Sequence, residues 1–390
     1  MNKSLSAWSV LVLGLLLITF LAGCGGVSAN TPNPTPTPTP NPSPSPGPNP
    51  SPTPAAHGTF VFVNGVNAPG QPTDGYRLNP DGTLTLATGS PFPVTGLLAS
   101  SGSFLAVAGG NSVTSYRVDP TTGVPTAAGN AQVNTTAALA ADARDIYVAG
   151  LSADNANWVI YAFSIGGTGL LTPLPGSPFQ LSGACDLCNQ PVSMAVNNSF
   201  VIVGTSGFHG AGGVLVLPRA ASGTLGAPQG GGVEEQTAVA LQPTGNSAFS
   251  IDATLGAIDS WVLDAAGHPT AGTGVPPSAT LDFMDQVVDP TGKYLLALDT
   301  SGVVHILTIG ANAALSQIGT SESVGSGAGR IAIDPSGHFV IVVQASNLGN
   351  PAPPDQLTVF TFDPASAAMK KLPGTYPVGK LPVRIAIVSE

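Results

Sequence analysis

Charge is scarce in this chain of 390 residues: Asp, Glu, Lys and Arg together make up 8%, about a third of the share in an average soluble protein. Lys plus Arg is 11 and Asp plus Glu is 21, so the formal net charge is −10. A chain so poor in cations cannot track a phosphate backbone, which argues against nucleic acid as a partner. Cysteine is scarcer still. Three residues do not make a disulfide scaffold. The apolar run Trp8–Leu21 has 14 residues, short of the ~20 that span a bilayer. His-Glu-x-x-His, a phosphate-cradling Gly loop and a Ser nucleophile motif are all missing, so the sequence implies no metal and no cofactor.

What is abundant points elsewhere. Apolar residues are 43% of the chain, too many for a wholly disordered one, and there are 49 Gly and 38 Pro. That mixture suits many short strands joined by turns. Residues 1–23 read as a lipoprotein signal peptide: Lys3, the apolar run, then Leu21-Ala22-Gly23 before Cys24. Small side chains fit a signal peptidase, and the Cys24 thiol takes the lipid before cleavage makes it the first residue. The competing reading is an uncleaved anchor, which the short run disfavours. Gly25 follows the cysteine, with no Asp to signal inner-membrane retention. The expected location is therefore the bacterial cell envelope, lipid-anchored at the outer membrane of a Gram-negative host. Residues 24–57 form the tether. From Thr31 to Pro54 every second residue is proline, 12 in 24. Proline fixes φ and removes the amide donor, so the stretch is a polyproline II spacer of up to ~75 Å.

Residues 58–390 carry a degenerate repeat. An alternating strand recurs with reference residues Tyr76, Tyr116, Tyr161, Leu215, Trp261, Ile306 and Phe360, at spacings of 40, 45, 54, 46, 45 and 54. Such periods belong to propeller blades. An apolar strand, an Asp-Pro-x-Gly turn and a second apolar strand interleave with it, as in Gln286–Leu298 and Arg330–Val342; Ala238–Gly245 is a third copy. Proline pre-sets φ in that turn and glycine takes the positive φ. Val383–Val388 reads as an innermost strand without a successor, and Thr59–Val63 as a second strand without a predecessor. Together they complete one blade. The expectation is an all-β fold, a seven-bladed propeller closed by its C-terminal strand; a β-sandwich pair or a β-helix leaves the two orphan strands unexplained.

Arg330–Phe339 and Val383–Ile387, with the tails Gly89-Ser90-Pro91-Phe92 and Gly176-Ser177-Pro178-Phe179, resemble the lactonase family of seven-bladed propellers. That family includes 6-phosphogluconolactonase and carboxymuconate-lactonizing enzymes, and surface propellers with YVTN-type repeats are similar. The resemblance implies the fold and lactone chemistry. Active members tend to carry Arg-His at the start of an inner strand and Asn-Glu at the end of a second. Here Ile331 and Ile385 follow the arginines, and Gln344-Ala345 and Asp299-Thr300 fill the other positions. The arginines remain without the acid–base partners, and fold alone does not carry function.

Candidate site residues follow from the rim opposite the Asp-Pro turns, where the longer loops gather. Its ionisable residues are Asp74, Asp154, Asp186, His209, Glu234, Glu235, Asp282, Asp285, Arg330 and Arg384. A lactonase needs a base for water and a cation for the oxyanion; His209 or Glu234 fits the first role and Arg330 or Arg384 the second. Against these stand a plain loop histidine, a solvated carboxylate pair, and arginines bonded to channel carbonyls. Asp252 and Asp299 end second strands and are weak cation-site candidates, and the other histidines, 268, 305 and 338, are expected in turns or outer strands. Cys185 and Cys188 admit a redox pair, half a zinc site or a small disulfide. The disulfide suits an oxidising compartment. Two functions remain: a lipid-anchored scaffold presenting its rim to a protein, a glycan or a small lactone-like ligand, or a lactone hydrolase or related cycloisomerase.

Overall fold

The computed structural model describes residues 58–65, 71–181, 190–207, 212–231, 234–278, 281–346 and 354–389. The signal peptide, Cys24, the tether, Cys185, Asp186, Cys188 and His209 lie outside the described residues. Among these, the strands form seven antiparallel sheets arranged as the blades of a propeller. Six of them run in chain order from centre to edge with four strands each, and the seventh takes its innermost strand from the chain's end; Phe179–Gln180 and Tyr376–Pro377 add a short strand to two of them. All seven reference residues of the repeat fall on third strands.

The closing blade is built from both ends of the domain. The terminal strand Pro382–Ser389 pairs antiparallel with Thr59–Gly65, with Phe60 opposite Val388, Phe62 opposite Ala386 and Val63 opposite Ile385. Asp74–Leu78 and Leu84–Leu86 complete that sheet. An otherwise exposed edge is thereby paired.

Second strands carry unbroken apolar runs because sheets cover both their faces. Every residue of Tyr294–Asp299 and of Ser247–Asp252 is buried. The core therefore lies between blades. Tyr294, Leu296 and Leu298 of one blade pack on Val340, Val342 and Phe360 of the next, and the Tyr294 and Phe362 rings meet edge to face at 5.7 Å.

The Asp-Pro-x-Gly turns are held by their aspartates. Asp334 Oδ1 accepts the amides of His338 and Phe339 at 2.9 and 2.7 Å, and its Oδ2 accepts that of Ser336 at 3.0 Å. Asp289 does the same for Thr291, Lys293 and Tyr294. Gly292 and Gly337 sit at φ 73° and 76°, where a Cβ is strained. In the two Gly-Ser-Pro-Phe tails, Ser90 and Ser177 accept the amides of Gly75 and Ala162, each at 2.9 Å. The outer edge of a third strand is satisfied there after the short fourth strand has ended.

Seven inner strands line the central channel: Leu97–Ser101, Thr136–Ala141, Gln190–Val196, Gln236–Leu241, Phe283–Val288, Ala328–Ile333 and Pro382–Ser389. All start at the rim that carries the crossing loops and end at the rim of the Asp-Pro turns.

Candidate functional site

The charged mouth of the channel is shaped by a repeated irregularity. Six of the seven described inner strands shift register near their first residues: at Thr136/Ala138, Pro191/Ser193, Thr237/Ala240, Phe283/Asp285 and Ala328/Arg330, and opposite Asn64/Gly65 in the closing blade. Bulges of this kind re-aim the side chain that follows. Counting back four from each turn aspartate or its equivalent gives one ring of corresponding positions: Leu97, Ala138, Ser193, Ala238, Asp285, Arg330 and, from the closing strand, Arg384. All seven line one cavity of about 560 Å³ at the mouth. Three neighbouring blades thus place Asp285, Arg330 and Arg384 side by side.

The ring residues fasten each blade to the next. Ser193 Oγ accepts the amide of Val239 at 2.9 Å, and Asp285 Oδ2 accepts that of Ile331 at 2.9 Å. Arg330 continues the series with opposite polarity: its Nε donates to the Val383 carbonyl at 3.0 Å, and its Nη1 to its neighbour Gly329 at 2.9 Å. Arg384 breaks the series. Its guanidinium has no hydrogen-bond partner among the described residues, and its Nε is buried. Burial, with Arg330 as a second cause, brings its pKa down to about 10, so it remains a cation at neutral pH. Burial also holds the Asp285 carboxyl above the usual aspartate range, against the opposing pull of Arg330 and of the Ile331 and Gln286 amides.

The candidates from sequence are distributed unevenly. Arg330 and Arg384 line the same cavity. Glu234 does not line it; its charge acts instead on Asp259, elsewhere on the rim. There burial, first, and the charges of Asp252 and Glu234 push the Asp259 carboxyl up, against a hydrogen bond from Gln236 Nε2 at 3.0 Å. Glu235 is fixed nearby through its carbonyl, which accepts the Ala253 amide at 3.0 Å. Asp252 and Asp299 are occupied by their own turns: Asp252 accepts the amides of Thr254 and Leu255, and Asp299 those of Ser301 and Val303. His305 lies on the third strand Val304–Ile309 and is buried, with Nε2 2.8 Å from Asp299 Oδ2. Its ring packs edge to face on Phe283 at 5.2 Å, two residues before Asp285. Among the described residues no group of three or more His, Cys, Asp or Glu is placed to hold a metal ion.

Asp285 belongs to this site, and the sequence reading placed it only on the rim. The signal was available, since it precedes Asp289-Pro290 by the same four residues that separate Arg330 from Asp334-Pro335.

Fold and site together define a seven-bladed β-propeller with a charged channel mouth, and its structural neighbours are 6-phosphogluconolactonase-like and lactonase proteins. A candidate 6-phosphogluconolactonase of Bacteroides fragilis superposes with TM-score 0.65 at 16% identity, over 87% of this chain and 100% of that one. The periplasmic gluconolactonase of Pseudomonas aeruginosa gives 0.62 at 17% identity, over 85% and 99%. A protein of Lactobacillus plantarum gives 0.63 at 17%, over 85% and 99%. No family model and no curated protein matches the sequence. At such identities the likeness is one of fold.

Proposed function

We propose that the protein is a lipid-anchored binding propeller of the cell envelope, held out from the outer membrane by its proline tether, whose channel mouth takes a small anionic ligand. The observation that carries this reading is Arg384. A half-buried cation without a protein partner is costly to keep, and a guanidinium presents a planar fork that matches an oxyanion. The cavity of about 560 Å³ falls in the roughly 300–1,000 Å³ range of small-molecule sites. Arg330 supports Arg384 by holding the Val383 carbonyl just before it. No cofactor is assigned. The test is calorimetric titration of the lipidated protein in nanodiscs with small carboxylates, empty nanodiscs serving as the blank. Binding that Arg384→Gln abolishes is the expected result. Binding that ignores this substitution removes the proposal.

Lactone hydrolysis is the second reading, favoured by the raised carboxyl of Asp285 in the same cavity and by the structural neighbours. Asp285 would take a proton from water as its oxygen attacks the lactone carbonyl, with the arginines on the developing oxyanion. The ring C–O bond would then break and the proton return to the leaving alkoxide. Asp285 Oδ2 is already engaged by the Ile331 amide, which supports the binding role. Turnover across a lactone panel, lost in both Asp285→Asn and Arg330→Ala, would favour the enzyme.

A further inference from the structure

Resting on the reading of the mouth as an anion site, we infer that its ligand is a monocarboxylate with an apolar body, and not a phosphorylated sugar. Charge balance is the first argument. The described residues that line the cavity include three ionisable side chains, one carboxylate and two guanidinium groups, which leaves one positive charge in excess. A phosphate monoester brings about −1.5 to −2 at neutral pH, more than the mouth can balance, and Asp285 repels the surplus. A carboxylate brings one charge.

Hydrogen-bond capacity is the second. Arg330 spends its Nε and Nη1 on Val383 and Gly329. The Arg384 fork is uncommitted, and one free fork satisfies the two oxygens of one carboxylate. A phosphoryl group has a third strong acceptor oxygen, for which the remaining guanidinium nitrogen is Nη2 of Arg330, on a side chain already held to two carbonyls.

The walls are the third. The apolar part of the lining includes Leu97 in the ring itself, Met284 just before it, and Leu139, Met194 and Ile385 one residue further down the channel. The channel beyond continues with Ala140, Val196, Val287, Ile333 and Ile387. Of the two hydroxyls at the mouth, Ser193 Oγ is engaged by the Val239 amide at 2.9 Å and Thr237 Oγ1 faces the Ile251 carbonyl at 3.5 Å. A polyol hydroxyl set against these apolar side chains would lose water without replacement, which is costly. A hydrocarbon or aryl body gains from the same walls. The ligand class is therefore an alkyl or aryl carboxylic acid, carboxylate at Arg384 and apolar end down the channel.

The experiment is titration calorimetry on the lipidated protein in nanodiscs with three probes: phenylacetate, gluconate and glucose 6-phosphate. Phenylacetate is expected to bind at least about tenfold tighter than either polar probe, the scale on which unmatched polar groups discriminate. Arg384→Gln should abolish its binding and Arg384→Lys should retain a weakened form. Asp285→Asn should raise affinity for glucose 6-phosphate by removing the negative charge. Gluconate or glucose 6-phosphate binding as tightly as phenylacetate, and through Arg384, would overturn the ligand class while leaving the anion site intact. Failure of all three to bind, or binding indifferent to Arg384, would overturn the site itself.

Discussion

Arg330 reaches across a blade boundary to the carbonyl of Val383, 3.0 Å from its Nε, and so fixes the backbone one residue before Arg384. One cation of the pair is structural and the other is free. The two therefore differ in what their loss does. Arg330→Ala removes a latch and is expected to cost about 1–2 kcal/mol, whereas Arg384→Gln removes an uncompensated charge and is expected to leave stability unchanged or raised. Urea denaturation of the two variants checks this. Equal destabilisation would mean that Arg384 has a partner in the fold.

Asp285 gives a pH dependence of definite sign. Its native carboxyl titrates above the ordinary value of 3.8, so the folded state holds the proton more tightly than the unfolded chain. Its ionisation therefore lowers stability as pH rises from about 3.8 through the raised native value, and the penalty is complete above it. Asp285→Asn keeps an acceptor for the Ile331 amide and removes the charge. The variant should melt higher than the parent at pH 7, with the difference shrinking as pH falls towards 3.8. Melting curves at several pH values measure it.

A second buried cation has a different standing. Arg219 donates to Asp142, to Asp145 and to the Asn197 carbonyl, and its guanidinium lies over the Tyr147 ring at 5.5 Å. Replacing it by methionine leaves Asp145 buried and unpaired. The expected cost is about 3–5 kcal/mol, read from urea midpoints, with much of it recovered when Asp145 is also changed to Asn. A cost under about 1 kcal/mol would be the behaviour of an exposed pair.

The clasp predicts that the ring is cooperative. Phe62 is buried against Phe92 at 6.2 Å in the blade that joins both chain ends, and Phe62→Ala should cost about 3–5 kcal/mol. Leu86, 54% exposed on the edge strand of the same blade, should tolerate alanine within about 0.5 kcal/mol. Truncation after Leu381 removes the strand that pairs with Thr59–Gly65 and should give aggregated protein by size exclusion. A monomeric, cooperatively melting truncation would contradict the closure.

The architecture was legible because its signals are local. Asp-Pro-x-Gly marks two of the inner turns through an aspartate that caps amides within five residues of itself, and alternation places Tyr76 through Phe360 on third strands. The closure followed from two orphan strands that match halves of one repeat. The site was only half legible. Arg330 and Arg384 share a visible motif, but Asp285 departs from it in side chain and is united with them by register, which a composition-led search passes over. Glu234 reads as a rim carboxylate, yet it precedes Ala238, the ring position of its blade, by four residues, and so falls outside the cavity. Arg219 gave no signal at all, because its carboxylate partners lie 77 and 74 residues away in sequence.

The central claim is that Arg384 is held open for a carboxylate whose body descends the channel. A crystal structure with 4-bromophenylacetate, read at the bromine absorption edge, tests it most directly. The account predicts an anomalous peak inside the channel below the ring of Asp285, Arg330 and Arg384, with both carboxylate oxygens on the Arg384 guanidinium. A bromine facing solvent, or a carboxylate bound away from Arg384, would contradict it.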